Sequence, residues 1–392
     1  MFLENWNIEY IAKGKKNPLI QKCNGKESVR IYTLRGSFSF EKQKYILQNG
    51  SSSDYLKLTS GVSSSHYSSD LCDFIETWSD DLSFQKLSSL LTQVTDNEVL
   101  SASGIQSYLH CKAVSISEHW LLNSHKNIQQ IEVQDNIAIY EANTEEVILM
   151  MDDVGVKAQK PHKLIERKEG DAKRLDTTVM LVQDKDKDYH YATSGIDKEG
   201  KTNYSVKQAL IDQVVTLHDV TNPLPIVAIT DGARSIRLVL QAIFGFSVCI
   251  ILDWYHLQLK IKNLMSMIAP NKKYKELYIN DLKQLLWVGN VTGAIIYLDN
   301  LPSIKNQEKC QELRNYLEKH EHEIIDYGKR QANGKTIGSG RGEKANDLIV
   351  AHRQKKKGMA WSKIGSSSLA IIKTHRLMLK FVAAKAATNL LH

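Results

Sequence analysis

Cysteine is sparse and unpaired in this sequence: Cys23, Cys72, Cys111, Cys249 and Cys310 stand far apart, with no C-x-x-C among them. An odd, scattered set argues against a disulfide framework and a structural zinc site, and for a reducing compartment. Long apolar runs are missing too. None approaches the roughly 18 residues that a membrane-spanning helix needs. The opening MFLENWNIEYIAKGKK has an early acid and no apolar h-region, so it does not read as a signal peptide. The expectation is a soluble, cytoplasmic chain with no membrane partner. Acidic residues are absent from the C-terminal end: after Asp347 there is none, while nine Lys or Arg follow between Leu348 and His392. With a net charge of +7 and a pI near 8.9, that imbalance points toward a polyanionic partner, although moderately basic chains without one are as common.

What is present divides unevenly. A chain of 392 residues, 42% apolar, can bury two or three cores. Residues 1–50 form a small N-terminal β segment, in which ESVRIYTLRGSFSFEKQKYIL alternates like a hairpin turning at Arg35 and Gly36. Residues 51–74 are a serine-rich linker. Residues 75–140 turn helical in LSFQKLSSLLTQV, SASGIQSYLHCKAV and SISEHWLL. Three short helices there form either a helix-turn-helix DNA reader or a plain bundle used for dimerisation.

From Glu145 the pattern is α/β. EVILMMDD is an apolar run closed by Asp152 and Asp153. TTVMLVQ and YHYATSG read as strands joined by a DKDKD turn, and NYSVKQALIDQVVTLHDV as a helix. PIVAITDGARS places Asp231 at a strand tip before a helix, and FSVCIILDWYH does the same with Asp253 and His256. This order predicts an α/β fold with a ribonuclease H-like mixed sheet flanked by helices. Residues 145–258 are the first part of that core, 259–325 an all-helical insertion, and 326–392 the completion of the core with basic C-terminal helices.

Carboxylates gathered at one sheet edge suit a particular chemistry. Two Mg²⁺ ions about 3.5–4 Å apart stabilise the attacking and leaving oxygens of an in-line phosphoryl displacement. Such ions take carboxylate and water oxygens. Asp152, Asp231 and Glu343 fit as catalytic, metal-holding residues, since they fall in the right elements in the right order. Each has a plainer explanation: Asp231 as a helix cap, Asp152 and Asp153 as a turn, Glu343 as a partner for a helix dipole.

The pieces MMDDVGV, ITDGARSI, ILDWYHL, LLWVGN, IGSGRGEKAND and RQKKKGMAW together resemble a DDE transposase of bacterial insertion sequences, ISKra-like, over residues 146 to about 380. The resemblance implies a catalytic set of Asp152, Asp231 and Glu343 with Mg²⁺ or Mn²⁺, two ions. Where the family has Asp-Gly-Val this chain has DDV, which leaves the choice between Asp152 and Asp153 open. Asp253 and His256 match an accessory Asp-x-x-His motif of Mutator-like transposases. The implied partners are double-stranded DNA, as terminal inverted repeats and target, and a second copy of the chain when two ends are synapsed. The implied location is the bacterial cytoplasm, at the nucleoid. The alternative is an inactive, transposase-derived DNA-binding protein.

Further residues belong to this reading. Trp287, in the insertion, is either a core residue or a stacking platform for an unpaired base; Trp254 and Trp361 read as packing residues. Lys355, Lys356, Lys357 and Lys363, with Arg353, would hold the DNA backbone without reading sequence. On a regular helix begun near Gly342, Glu343, Asn346, Val350 and Arg353 share one face, which places Arg353 nearest the scissile phosphate. The GKT of NGKTIG is not a P-loop, because Gly328 lies one residue too far back. KHEHE, at 319–323, reads as a charged helix end.

Overall fold

A computed structural model of the chain describes residues 17–54, 67–95, 99–160 and 173–389. It divides into two compact units, Met1–Leu109 and His110–His392. Among the described residues no helix is long and apolar enough to cross a membrane.

In the first unit, β1 (Ile20–Thr33) and β2 (Gly36–Leu47) pair antiparallel from Thr33↔Gly36 back to Ile20↔Leu47. Gly36 adopts φ 107°, and the Thr33 hydroxyl closes the turn by donating to the Gly36 carbonyl at 3.0 Å. That is the hairpin expected around Arg35 and Gly36. The serine-rich stretch is not all linker: β3 (Ser52–Asp54) adds to the edge of β2, while 55–66 lies outside the described residues. Two helices come next, α1 (Ser69–Trp78) and α2 (Phe84–Thr95), whose apolar faces bury Leu71, Ile75, Leu87 and Leu91.

The three short helices expected over 75–125 are jointed differently. SASGIQSYLHCKAV and SISEHWLL run together as one 21-residue helix, α3 (Ala102–Leu122). No Gly or Pro separates them. Just past the join, Ser117 is absorbed into the helix by donating back to the Ala113 carbonyl at 2.8 Å.

The second unit is mixed α/β, with a mixed sheet flanked by helices. Strands β4 (Val147–Lys157), β5 (Arg174–Gln183) and β6 (Tyr189–Ala192) form an antiparallel meander. The turn into β6 is the DKDKD stretch, where Asp184 accepts from the amides of Asp186 and Asp188. A short hairpin, β7 (Gly195–Ile196) and β8 (Thr202–Tyr204), leads to α4 (Val206–Leu217). Next come β9 (Ile226–Thr230), α5 (Arg234–Phe244) and β10 (Cys249–Leu252). Both strands are parallel, β9 to β4 and β10 to β9, which gives the sheet order β10-β9-β4-β5-β6. All five residues of β9 are buried, as a parallel strand covered on both faces requires. One face of the sheet packs Val147, Leu149 and Met151 against α4 and α5, through Leu210, Val214, Ile236 and Leu240.

After β10 the chain is helical: α6 (Trp254–Ile268), α7 (Lys272–Trp287), α8 (Val291–Asp299) and α9 (Gln307–Lys319). Asn271, Asn290 and Asn306 cap the last three by accepting the amides of Tyr274, Gly293 and Lys309. Then come α10 (Tyr327–Ala332), α11 (Gly340–Asn346), a π-helical turn over Asp347–Ala351, the single turn α12 (His352–Gln354) and α13 (Lys363–Asn389).

A buried ionic knot ties α10 to the start of β4. Arg330, wholly buried, grips Glu146 with both terminal nitrogens at 2.9 and 2.7 Å, and Lys335 reaches the same carboxylate at 2.7 Å. Lys335 is the lysine of the GKT triplet, so its charge is committed inside the fold.

Candidate functional site

Strand register brings the acids together. Pairing of β4 with β9 ends at Met150↔Ile229, and pairing of β9 with β10 ends at Thr230↔Leu252. Two residues beyond the first pair stand Asp152 and Asp231, and one beyond the second stand Asp231 and Asp253. Three neighbouring strands therefore present a carboxylate at one level, where β9 stops and β4 continues.

Alternation along β4 separates its two acids. Asp153 falls on the face of Leu149 and Met151 and accepts from the hydroxyl of Thr178, its cross-strand partner, at 2.5 Å. Asp152 falls on the face of Ile148 and Met150. There Gly342 of α11 lies so near that an added Cβ would sit 3.4 Å from Met150 Cβ. This approach delivers Asn346, 8% exposed, whose Nδ2 donates to Asp152 Oδ2 at 2.6 Å. Burial, then the charge of Asp231, push the Asp152 carboxyl above the usual aspartate range; the Asp153 amide, His256 and Asn346 act against that rise. Asp231 is not the cap residue of α5, a position held by Ala233, but its carboxylate accepts the Ala233 amide at 2.8 Å across Gly232.

Asp253 has no exposure and no spare capacity. One oxygen caps α6 by accepting the amides of Tyr255 and His256 at 2.6 and 2.9 Å, and the other accepts both the amide and the hydroxyl of Ser339. Burial opposes its ionisation, yet the His256 side chain, then the Ser339 hydroxyl and the amides of His256 and Ser339, outweigh it and hold the carboxyl down at about 2. Asp253 is thus a clamp between the tip of β10 and the residue that begins α11. His256 Nδ1 stands 3.7 Å from Asp253 Oδ1 and is raised chiefly by that carboxylate, against burial, with Asp231 and Glu343 adding to the effect. Glu343 is exposed and lines a shallow groove with Tyr255, His256, Gln258, Leu259 and Lys262. His256 is therefore the electrostatic link between the strand-tip acids and the helix-borne one.

Among the described residues no three acidic, His or Cys side chains stand close enough to hold one ion together. The donor set nevertheless has the character a hard cation takes. Its charged members are carboxylates, Asp152 and Asp231 repel each other, and the Oδ1 of Asn346 is buried without a hydrogen-bond partner.

Two expected DNA contacts are placed elsewhere. Arg353 is 5% exposed, lies 4.8 Å over the Trp361 ring and meets Met359 Sδ at 2.9 Å. The shared face drawn from Glu343 to Arg353 fails because the π-helical turn inserts a residue between them and rotates the helix beyond it. Trp287 packs edge-on to Trp254 at 4.9 Å and stacks on Tyr327, with Gly328 against its indole nitrogen, so it belongs to an aromatic cluster. Lys355, Lys356, Lys357 and Lys363 are exposed. Trp254 and Trp361 are buried, as packing residues should be.

Sequence reasoning gave no role to Asn346, Ser339 or the exposed groove lysine Lys262. Asn346 could have been found, since it lies one helical turn after Glu343; Ser339 and Lys262 carry no local signal. KHEHE does stand at a helix end, where α9 closes at Lys319, with Lys319, Glu321 and His322 exposed; His320 and Glu323, however, are 1% and 8% exposed, and His320 lies against Gly232 behind Asp231. Comparison with protein-family models gives no match, and comparison with curated proteins gives none either.

Proposed function

We propose that the chain is a DDE-type DNA transposase, cutting DNA at element ends and joining it to target by in-line phosphoryl transfer. The observation that carries this reading is the juxtaposition of Asp152 and Asp231 on adjacent parallel strands, with α11 docked on the same face. An antiparallel meander extended through its first strand by two parallel strands also supports a ribonuclease H-like core.

Asp152 and Asp231 are the residues that would hold Mg²⁺ or Mn²⁺, and Glu343, which stands too far off to share one ion with both in this structure, would have to draw in to complete the set. When bound, such ions polarise a phosphodiester and lower the pKa of water. The protein's own groups have distinct tasks. Asn346 orients Asp152, and Asp253, through Ser339, anchors the helix that bears Glu343. Asp153, turned to the other face, braces β4 against β5. Lys262 puts positive charge in the groove beside Glu343, where a phosphate backbone would lie, and His256 would add to it when protonated. Lys355, Lys356, Lys357 and Lys363 extend that charge and would make binding salt-dependent.

The purified chain, given DNA carrying the ends of its own genetic element and Mg²⁺ or Mn²⁺, should nick it and leave 3′-hydroxyls. EDTA, Asp152→Asn and Asp231→Asn should each abolish cutting while DNA binding survives. Cleavage that persists in EDTA, or a covalent protein–DNA adduct, would exclude the mechanism. Binding without any cleavage by the unaltered protein would favour a DNA-binding role alone.

A further inference from the structure

Behind Asp231 lies a polar cluster to which the proposed chemistry assigns no role. His320, just past the end of α9, sends Nδ1 to Glu323 Oε2 at 2.6 Å. Arg237 of α5 pairs with Glu323 Oε1 at 2.7 Å, and its Nη2 lies 3.1 Å from His320 Nδ1. The short contact to a carboxylate assigns the imidazole proton to Nδ1. Burial opposes the charge on Glu323, but His320 and Arg237 outweigh it and hold the carboxyl below its ordinary range.

This cluster meets the turn after Asp231, the helix that follows that turn, and the tip of the neighbouring strand β10. Gly232, the next residue, has φ 84°, and a Cβ there would come within 2.6 Å of His320 Cε1 and 2.9 Å of Leu252 Cδ1. The ring edge thus fills the space against which the Asp231 turn closes. The Glu323 carbonyl accepts the Leu252 amide at 2.9 Å, so the same short segment pairs with the tip of β10. Arg237 fastens it to the helix that begins directly after the Asp231 turn. A satisfied structural ion pair could sit anywhere in the core; this one is packed against the backbone of a proposed metal ligand and joins it to the end of the helical segment.

We infer that His320, with Glu323 and Arg237, is a positioning residue for Asp231, through which the helical segment α6–α9 controls the geometry of the acidic site. The inference rests on the transposase reading for its consequence, but not for its geometry. Polar groups that orient a ligand typically change metal affinity or activity about 10–100-fold when removed.

The test uses the full chain and the variants His320→Ala, His320→Asn and Glu323→Gln. Asparagine can keep a donor near the place of Nδ1. Hydrogen exchange of the amides from Gly232 to Ile236 is measured against those of β5, together with the Mn²⁺ dependence of end cleavage. Expected are exchange accelerated at least tenfold in that segment alone for His320→Ala and Glu323→Gln, and a Mn²⁺ requirement raised about 10–100-fold with DNA affinity unchanged. His320→Asn should recover part of both. Unchanged exchange in all three variants, or acceleration shared equally by β5, overturns the inference. If the unaltered protein never cleaves, the transposase reading has failed, and the exchange pattern alone decides whether the cluster positions Asp231.

Discussion

Removing one amide should disable the proposed site without dismantling the fold. Asn346 donates to Asp152 across 2.6 Å from a position only 8% exposed. A hydrogen bond to a charged group contributes about 1.5–3 kcal/mol. Since about 1.4 kcal/mol is a factor of ten in an equilibrium, Asn346→Ala should weaken metal-dependent cleavage about 10–100-fold when metal is limiting. The direction with pH comes from the same bond. Burial and Asp231 already raise the Asp152 carboxyl, and Asn346 is among the groups that restrain the rise. Without it the carboxyl climbs further, so the acid limb of the pH–rate profile should move to higher pH. The assay is initial cleavage rate across Mn²⁺ concentration and pH, with thermal unfolding followed in parallel. An unchanged Mn²⁺ requirement together with an unmoved acid limb would refute the reasoning.

Three other outcomes are expected. Glu146→Gln leaves Arg330 and Lys335 as buried cations without their anion and should cost about 3–5 kcal/mol, seen as a lower unfolding midpoint in urea. Asp253, held down at about 2 against an ordinary 3.8, contributes stability above the higher value that is lost as pH falls through the lower one. Asp253→Asn should flatten that acid dependence, and a curve of unaltered shape would argue against the clamp. Replacing Lys355, Lys356 and Lys357 together by Gln should leave the unfolding midpoint unchanged, because all three are exposed, and should lower the salt slope of DNA binding by up to about 3.

The parts legible in the sequence were those written in local chemistry. A buried apolar run followed by an acid marked β4, β9 and β10, but β4 does not close at its acids: it runs on to Lys157 with Asp152 and Asp153 inside it on opposite faces. The Arg35-Gly36 turn was visible because few residues other than glycine tolerate a positive φ. What escaped was set by packing between distant segments. No local feature told that Ser117 would continue α3, since its hydroxyl bonds within the helix and accepts the amide of Ile196. Arg353 looked like one cation in a basic run, but the π-helical turn before it, the Trp361 ring and Met359 bury it. The charged letters of KHEHE marked a helix end, but not that Glu323 would be buried there, since its partner Arg237 lies far back in the chain.

The bond from Asp253 to Ser339 closes a ring in the polypeptide, with the Trp254 amide to the Ile337 carbonyl as a second stitch at 3.2 Å. Everything from α6 to α10 is an excursion that leaves and returns at the same doorway. Because the entropy of closing a loop grows only slowly with its length, the connections between the excursion's helices can lengthen or shrink over evolution at small cost, provided that His320, Glu323 and Arg330 keep their places. The spacing in sequence between Asp231 and Glu343 is then free to drift while their spacing in space is kept by the tether at its base.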